Sequence, residues 1–374
     1  MKILCNKEEL SVGVQVIQAA LSPRSTLPIL VNFLLETEAA QVKMASTDLE
    51  VGVKHLLRAE VVSGGAITVP AKKFGDILHS LSDSSTVDIQ VEEGNKVLIR
   101  SGKSRFSLMG MPKADYPVLP EFSKKEAFAV PWKLLHEMIQ KTLFAASNDE
   151  TRHVLGGVFC VAEKGSLRMI ATDGRRLALI LRKGIPAHLN FKVTLPTKAL
   201  QELVRLWGVT EEPSKEKKED VSVCITENQA AFQFRETTLI SRLIEGNFPN
   251  YEQVIPTKKE TQATVSTKDL LSVTRRASLC TAERGGAVRY SFRPKTLHIS
   301  ASTQGLWEFE DEIDVDFTGS SFDVAFNPIF LIDFLKNSDS EKSVFSFTSP
   351  LNPALLQPAG DADNLCVIMP MRLQ

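Results

Sequence analysis

The chain is poor in the features that mark secreted, membrane-spanning or catalytic proteins. Its 374 residues hold five cysteines, Cys5, Cys160, Cys224, Cys280 and Cys366, scattered without a Cys-x-x-Cys pair. That spacing argues against a disulfide framework or a zinc site and for free thiols in a reducing compartment. No apolar run approaches the length of a membrane span, and Met1-Lys2-Ile3-Leu4-Cys5 reads as a strand rather than a signal peptide. The expected location is the cytoplasm. A formal net charge of −1 gives no overall bias toward nucleic acid or membrane. There is no Walker loop, Gly-x-Gly-x-x-Gly or Gly-x-Ser-x-Gly, and the histidines (His55, His79, His136, His153, His188, His298) lack acidic or cysteine neighbours at ligand spacing. No cofactor, metal or enzymatic activity is expected.

What the chain does contain is repetition. Pro70-Ala71-Lys72-Lys73-Phe74, Pro196-Thr197-Lys198-Ala199-Leu200 and Asn327-Pro328-Ile329-Phe330-Leu331 each open a helix, about one third of the chain apart. Apolar residues then fall on one helical face: Phe74, Ile77 and Leu78; Leu200, Leu203 and Val204; Leu331, Phe334 and Leu335. Earlier in each third a further helix carries Leu10, Val14, Ile17 and Leu21, then Leu135, Met138 and Ile139, then Leu270, Val273 and Ala277. Between the two helices, Ser46-Thr47-Asp48-Leu49, Ala171-Thr172-Asp173-Gly174 and, more loosely, Ala301-Ser302-Thr303-Gln304 follow alternating runs and read as strands entering turns. A period this long is one whole domain written three times, giving an α+β fold. The expected domains are 1–122, 127–253 and 257–374. Linkers run from Pro112 to Phe128 and from Pro249 to Gln262, and the polar run 211–220 reads as a solvated loop interrupting the second copy.

Asp173 invites a catalytic reading with Arg176, but Asp-Gly is foremost turn chemistry and no second carboxylate recurs at a fixed offset to divide acid and base roles. More informative is the positive charge on equivalent helices: Lys72 and Lys73, Lys133 and Lys141, Lys198 and Arg205, Lys268, Arg275 and Arg276. Each alone reads as a solvated surface residue. If the repeated helices share one side, a nearly neutral protein gains a basic lining that attracts phosphates without reading sequence.

Thr26-Leu27-Pro28-Ile29-Leu30, Ser104-Arg105-Phe106-Ser107-Leu108, Ala171-Thr172-Asp173-Gly174-Arg175-Arg176-Leu177-Ala178 and the ending Val367-Ile368-Met369-Pro370-Met371-Arg372-Leu373 resemble the bacterial DNA polymerase III beta subunits, the sliding clamps, in order along the whole chain. The resemblance implies three repeated DNA-clamp domains, each with two helices facing inward and antiparallel sheets outward, and a head-to-tail homodimeric ring around double-stranded DNA. Such a ring is a non-catalytic processivity factor. It would tether the replicative DNA polymerase, meet a clamp loader and bind repair or translesion polymerases through short linear motifs, with no membrane partner. A scaffold without a ring and an enzyme using Asp173 are the rival classes.

The resemblance also implies site residues. DNA-facing cations would be Arg24, Lys72, Lys73, Lys141, Arg152, Lys198, Arg205, Arg275 and Arg276. A partner-peptide groove would take Leu155, Thr172, Gly174, Arg175, Arg176, Leu177, Pro249 and Val254 from the second domain. The third would add Asn327, Phe330, Leu351, Pro353, Ile368, Met369, Pro370, Met371 and Arg372. Taken alone, Ile368 to Met371 read as a last core strand. Arg175 stands where a His is familiar, Glu252-Gln253 where arginines are often found, and His153-Val154 where some relatives carry tyrosines. The expected dimer contact sets Lys96, Lys103, Arg105, Phe106 and Leu108 against Leu279, Cys280, Glu308 and Glu310, a basic edge meeting an acidic one.

Overall fold

Among the described residues six α-helices form close to where the apolar spacing places them, the first stopping short of Leu21: α1 Lys7–Ile17, α2 Ala71–Ser80, α3 Trp132–Gln140, α4 Thr197–Val209, α5 Thr267–Ser278 and α6 Pro328–Lys336. The computed structural model describes residues 1–374 apart from 22–26, 84, 124, 211–218, 282–285, 304 and 373–374. Local chemistry starts several helices. Asn6 accepts from the N–H groups of Glu8 and Glu9, Ser266 from that of Asp269, and Asn327 from that of Ile329, with Pro328 pre-set at the first helical position. Leu10, Val14, Phe74 and Leu78 turn inward in the first third, and Leu270, Val273, Leu331 and Leu335 do so in the last.

The chain divides into two compact units, Met1–Trp132 with Lys198–Leu243 and Lys133–Thr197 with Ile244–Gln374. The second repeat is therefore shared between the units, because antiparallel sheets run on from one repeat into the next. In the first unit the strand Thr237–Arg242 pairs with Val51–Arg58, which merges strands of two repeats into an eight-stranded sheet. A five-stranded sheet ends at the strand Ser104–Met109. In the second unit Arg176–Lys183 pairs with Asn364–Ile368 inside a twelve-stranded sheet. A backbone ladder excludes water from its amide groups along its whole length, so it fuses repeats more firmly than scattered side-chain contacts would.

Each unit has a principal core of its own. Ile3, Leu10, Phe33, Phe74 and Ile89 lie in the first, and Tyr290, Phe292, Phe326, Phe345 and Phe347 in the second. The Trp132 and Trp207 rings stack 4.2 Å apart in the first unit. The expected first linker is packed rather than loose: Tyr116 is buried, and Lys54 Nζ donates to the Pro120 carbonyl at 2.7 Å. The polar run 211–220 lies outside the described residues except at its end, where Glu219 pairs with Arg235 and Asp220 already belongs to the strand Asp220–Ile225.

Candidate functional site

The turn after the strand Ser166–Thr172 is built by its own side chains. Asp173 Oδ1 accepts from the N–H groups of Arg175 at 2.9 Å and Arg176 at 3.0 Å. Thr172 Oγ1 accepts from the Gly174 N–H at 3.1 Å and donates to the Arg176 carbonyl at 2.6 Å. Gly174 takes φ 85°, a left-handed conformation that costs glycine nothing. Asp173 is thus a turn-former, and its second oxygen is occupied by Arg176 Nε at 3.0 Å. No free carboxylate remains there for acid–base work.

Arg176 is enclosed. Its remaining nitrogens donate to Asp333 at 2.7 Å and to the Phe144 carbonyl at 2.6 Å, and the guanidinium lies 4.6 Å from the Phe330 ring centroid and 5.6 Å from that of Phe144. Only 10% of its side chain is exposed. This fork ties the Asp173 turn to α6 and holds one wall of the site fixed.

The opposite wall is the chain's last strand. Asn364–Ile368 pairs with Arg176–Lys183, and the pairing is extended by the Met369 N–H, which donates to the Arg175 carbonyl at 2.9 Å. Between these elements and the turn Tyr251–Val254 lies a cavity of about 160 Å³. It is lined by Leu155, Thr172, Gly174, Arg175, Arg176, Leu177, Pro249, Asn250, Tyr251, Val254, Val367 and Met369. A cavity of about 150 Å³ walled by aliphatic side chains accommodates a benzene ring, so this one fits a single branched aliphatic or aromatic side chain.

Of the residues expected to form a groove, Leu155, Thr172, Gly174, Arg175, Arg176, Leu177, Pro249, Val254 and Met369 come together here. The others take different places. Asn327 caps α6, and Phe330 packs beneath Arg176 rather than lining the cavity. Leu351 is 87% exposed beyond it, Ile368 is fully buried in the core, and Met371 donates its N–H to the Ala325 carbonyl. Pro353, Pro370 and Arg372 do not line the cavity either. Asn250, Tyr251 and Val367 line it although the residue types did not single them out. Strand alternation was the available signal: with Met369 facing the cavity, its face-mate is Val367, while Ile368 points the other way into the core. The strand is thus core up to Ile368, while Met369 beyond it is 45% exposed and lines the cavity.

The expected DNA-facing cations differ in availability. Lys72, Lys73 and Arg275 are exposed and without an ion pair among the described residues. Lys198 pairs with Asp48, Arg205 with Glu202, and Arg276 with Asp311. Arg152 donates to the Asp173 carbonyl at 3.0 Å. Lys141 departs from expectation: it is buried, with its ammonium 2.7 Å from Asp339 and 3.6 Å from Glu137, so its charge serves the fold rather than the solvent face. Arg24 lies outside the described residues.

The proposed dimer residues sit on two strand edges. Ser104–Met109 has a ladder partner on one side only among the described residues, with Lys103 and Arg105 exposed and Phe106 and Leu108 packed against the first core. Lys96 lies on the neighbouring strand Lys96–Ser101, 3.9 Å from Glu92. In Trp307–Thr318, residues 307–314 pair on one side with Thr296–Thr303 and present Glu308 and Glu310 to solvent. Leu279 is 79% exposed, and Cys280 Sγ is 4.0 Å from the Glu308 carbonyl. Leu306 and Trp307, 68% and 61% exposed, belong to this edge as well and were not singled out from the sequence.

Comparison with known proteins gives a consistent result along the whole chain. Family models for the N-terminal, central and C-terminal domains of the DNA polymerase III beta subunit match residues 1–120, 129–250 and 252–372. The beta sliding clamp of Haemophilus influenzae is 32% identical over 374 residues, covering all of both chains. That of Chlamydia muridarum is 29% identical, covering all of this chain and 99% of the relative. Among solved structures, the DNA polymerase sliding clamp from Bacillus subtilis superposes with a TM-score of 0.94 at 30% identity, and the DNA polymerase III subunit beta from Pseudomonas aeruginosa with 0.93 at 31%, each over both whole chains.

Proposed function

The chain belongs to the DNA polymerase III beta subunit family, the non-catalytic sliding clamps, and on that premise we propose that two copies close head to tail around duplex DNA and tether replication and repair proteins through the cavity beside Arg175. The observation that carries the reading is the succession of three family domains in order along one chain. A unit repeated at constant rotation closes into a ring, and a ring holds DNA by topology. Weak, sequence-blind contacts are then an advantage, because tight ones would stop sliding. The exposed Lys72 and Lys73 on the second helix of the first repeat and Arg275 on the first helix of the third suit such contacts.

The domains proposed are 1–122, 127–253 and 257–374. Closure would pair the basic edge strand Ser104–Met109 of one copy with the acidic edge Trp307–Thr318 of the other. The cavity would take one apolar side chain of a linear motif carried by the replicative polymerase, the clamp loader or a repair polymerase. Loading needs a separate ATP-driven loader, since the sequence has no nucleotide-binding loop. The working location would be the nucleoid. Among the described residues no helix is long and apolar enough to cross a membrane.

The test is retention of the loaded protein on nicked circular DNA at a salt concentration that screens phosphate contacts, before and after linearisation. Retention on circles with loss on linear DNA is expected; equal loss from both would leave a scaffold that binds DNA only electrostatically.

A further inference from the structure

Among the described residues four guanidinium groups stand at or beside the cavity, and three are already engaged. Arg176 is shared between Asp173, Asp333 and the Phe144 carbonyl. Arg168 donates to the Tyr251 hydroxyl at 2.7 Å and lies 3.5 Å from Glu252. Arg152 is held by the Asp173 carbonyl and by Asp149. Arg175 differs: its side chain is exposed and has no partner among the described residues. Its backbone is nevertheless pinned on both sides, the N–H to Asp173 and the carbonyl to the Met369 N–H. Nearby carboxylates do not neutralise it, since Asp173 is committed to the turn and to Arg176, and Glu252 faces Arg168. An anchored, unpaired cation thus borders a cavity whose walls are mostly apolar.

We propose that Arg175 selects partner peptides that carry an aspartate or glutamate beside the apolar side chain seated in the cavity, pairing with that carboxylate at the rim. The inference rests on the reading of the cavity as a peptide site and adds the charge of the peptide. Arginine suits the task because its planar fork can meet a carboxylate with two parallel hydrogen bonds. The fixed backbone lowers the ordering cost of the contact, since only the side chain has still to be immobilised.

The test uses the full-length protein and a panel of short fluorescein-labelled peptides built around a central leucine, with Asp or Asn placed at each flanking position in turn. Anisotropy titrations on the wild type should show one position at which Asp binds about fivefold tighter than Asn, the scale of a solvent-accessible ion pair, and the gap should narrow at high salt. Arg175→Gln should abolish that gap, whatever it does to the affinity the Asp and Asn peptides share, and Arg175→Lys should restore part of it. An unaltered thermal melt for Arg175→Gln separates this from a folding defect, because the pinned groups are backbone atoms. Peptides that bind the wild type without discriminating Asp from Asn, or a preference that survives Arg175→Gln, would overturn the inference alone. Binding of no leucine peptide at all would overturn the peptide-site reading and this inference with it.

Discussion

Asp48 and Asp173 make the same turn in successive repeats. Asp48 Oδ1 accepts from the N–H groups of Glu50 at 3.0 Å and Val51 at 2.7 Å, as Asp173 Oδ1 does from those of Arg175 at 2.9 Å and Arg176 at 3.0 Å. The next residue is left-handed in both, Leu49 with φ 80° and Gly174 with φ 85°. A carboxylate that satisfies two backbone donors is structural wherever it recurs.

Asp173→Asn should therefore keep the turn through its amide oxygen and cost less than Asp173→Ala, which strands two N–H groups and removes an Arg176 partner. The alanine variant is expected to lose roughly 1–3 kcal/mol in a denaturant melt. Equal losses for the two variants would contradict the turn assignment.

Arg176→Lys should also destabilise the second unit, by roughly 1–3 kcal/mol, although the charge is kept. A single ammonium cannot reach Asp173, Asp333 and the Phe144 carbonyl together or cover the Phe330 ring as the guanidinium does. Chemical denaturation checks the stability, and a leucine-peptide titration should show weaker binding as the cavity wall loosens.

His55 supplies a pH dependence. It is 8% exposed, its Nδ1 is 3.0 Å from Thr237 Oγ1, and burial lowers its pKa from 6.5 to about 4. The unfolded chain thus binds the proton first, and the contribution is complete above pH 6.5 and is lost as the pH falls toward 4. Up to roughly 3 kcal/mol is at stake in that window. Thermal melts of the wild type and His55→Gln across it should converge as the pH drops; a constant gap would count against burial of the neutral ring.

The proposed dimer contact is best tested by charge. Phe106 and Leu108 also pack onto the first core, so truncating them would confound assembly with folding. Arg105 is exposed, and Arg105→Glu should weaken the dimer about tenfold by sedimentation, with recovery when combined with Glu310→Arg. Unchanged association in the single variant would point to a different interface.

The sequence by itself determined the three-fold repeat, the six helices and the Asp173 turn, because these depend on apolar spacing and on side chains bonding to backbone a few residues away. Resemblance of the Met369 ending and the Asp173 segment to a known family located most of the cavity wall. Tertiary structure decided what depends on partners far along the chain. It fused neighbouring repeats through ladders such as Thr237–Arg242 with Val51–Arg58, and it buried Lys141 against Asp339, nearly two hundred residues away. It also enclosed Arg176 while leaving its neighbour Arg175 exposed and without a side-chain partner among the described residues. Two adjacent arginines are equivalent in a sequence; which one keeps an available charge depends on where the carboxylates of other segments come to rest.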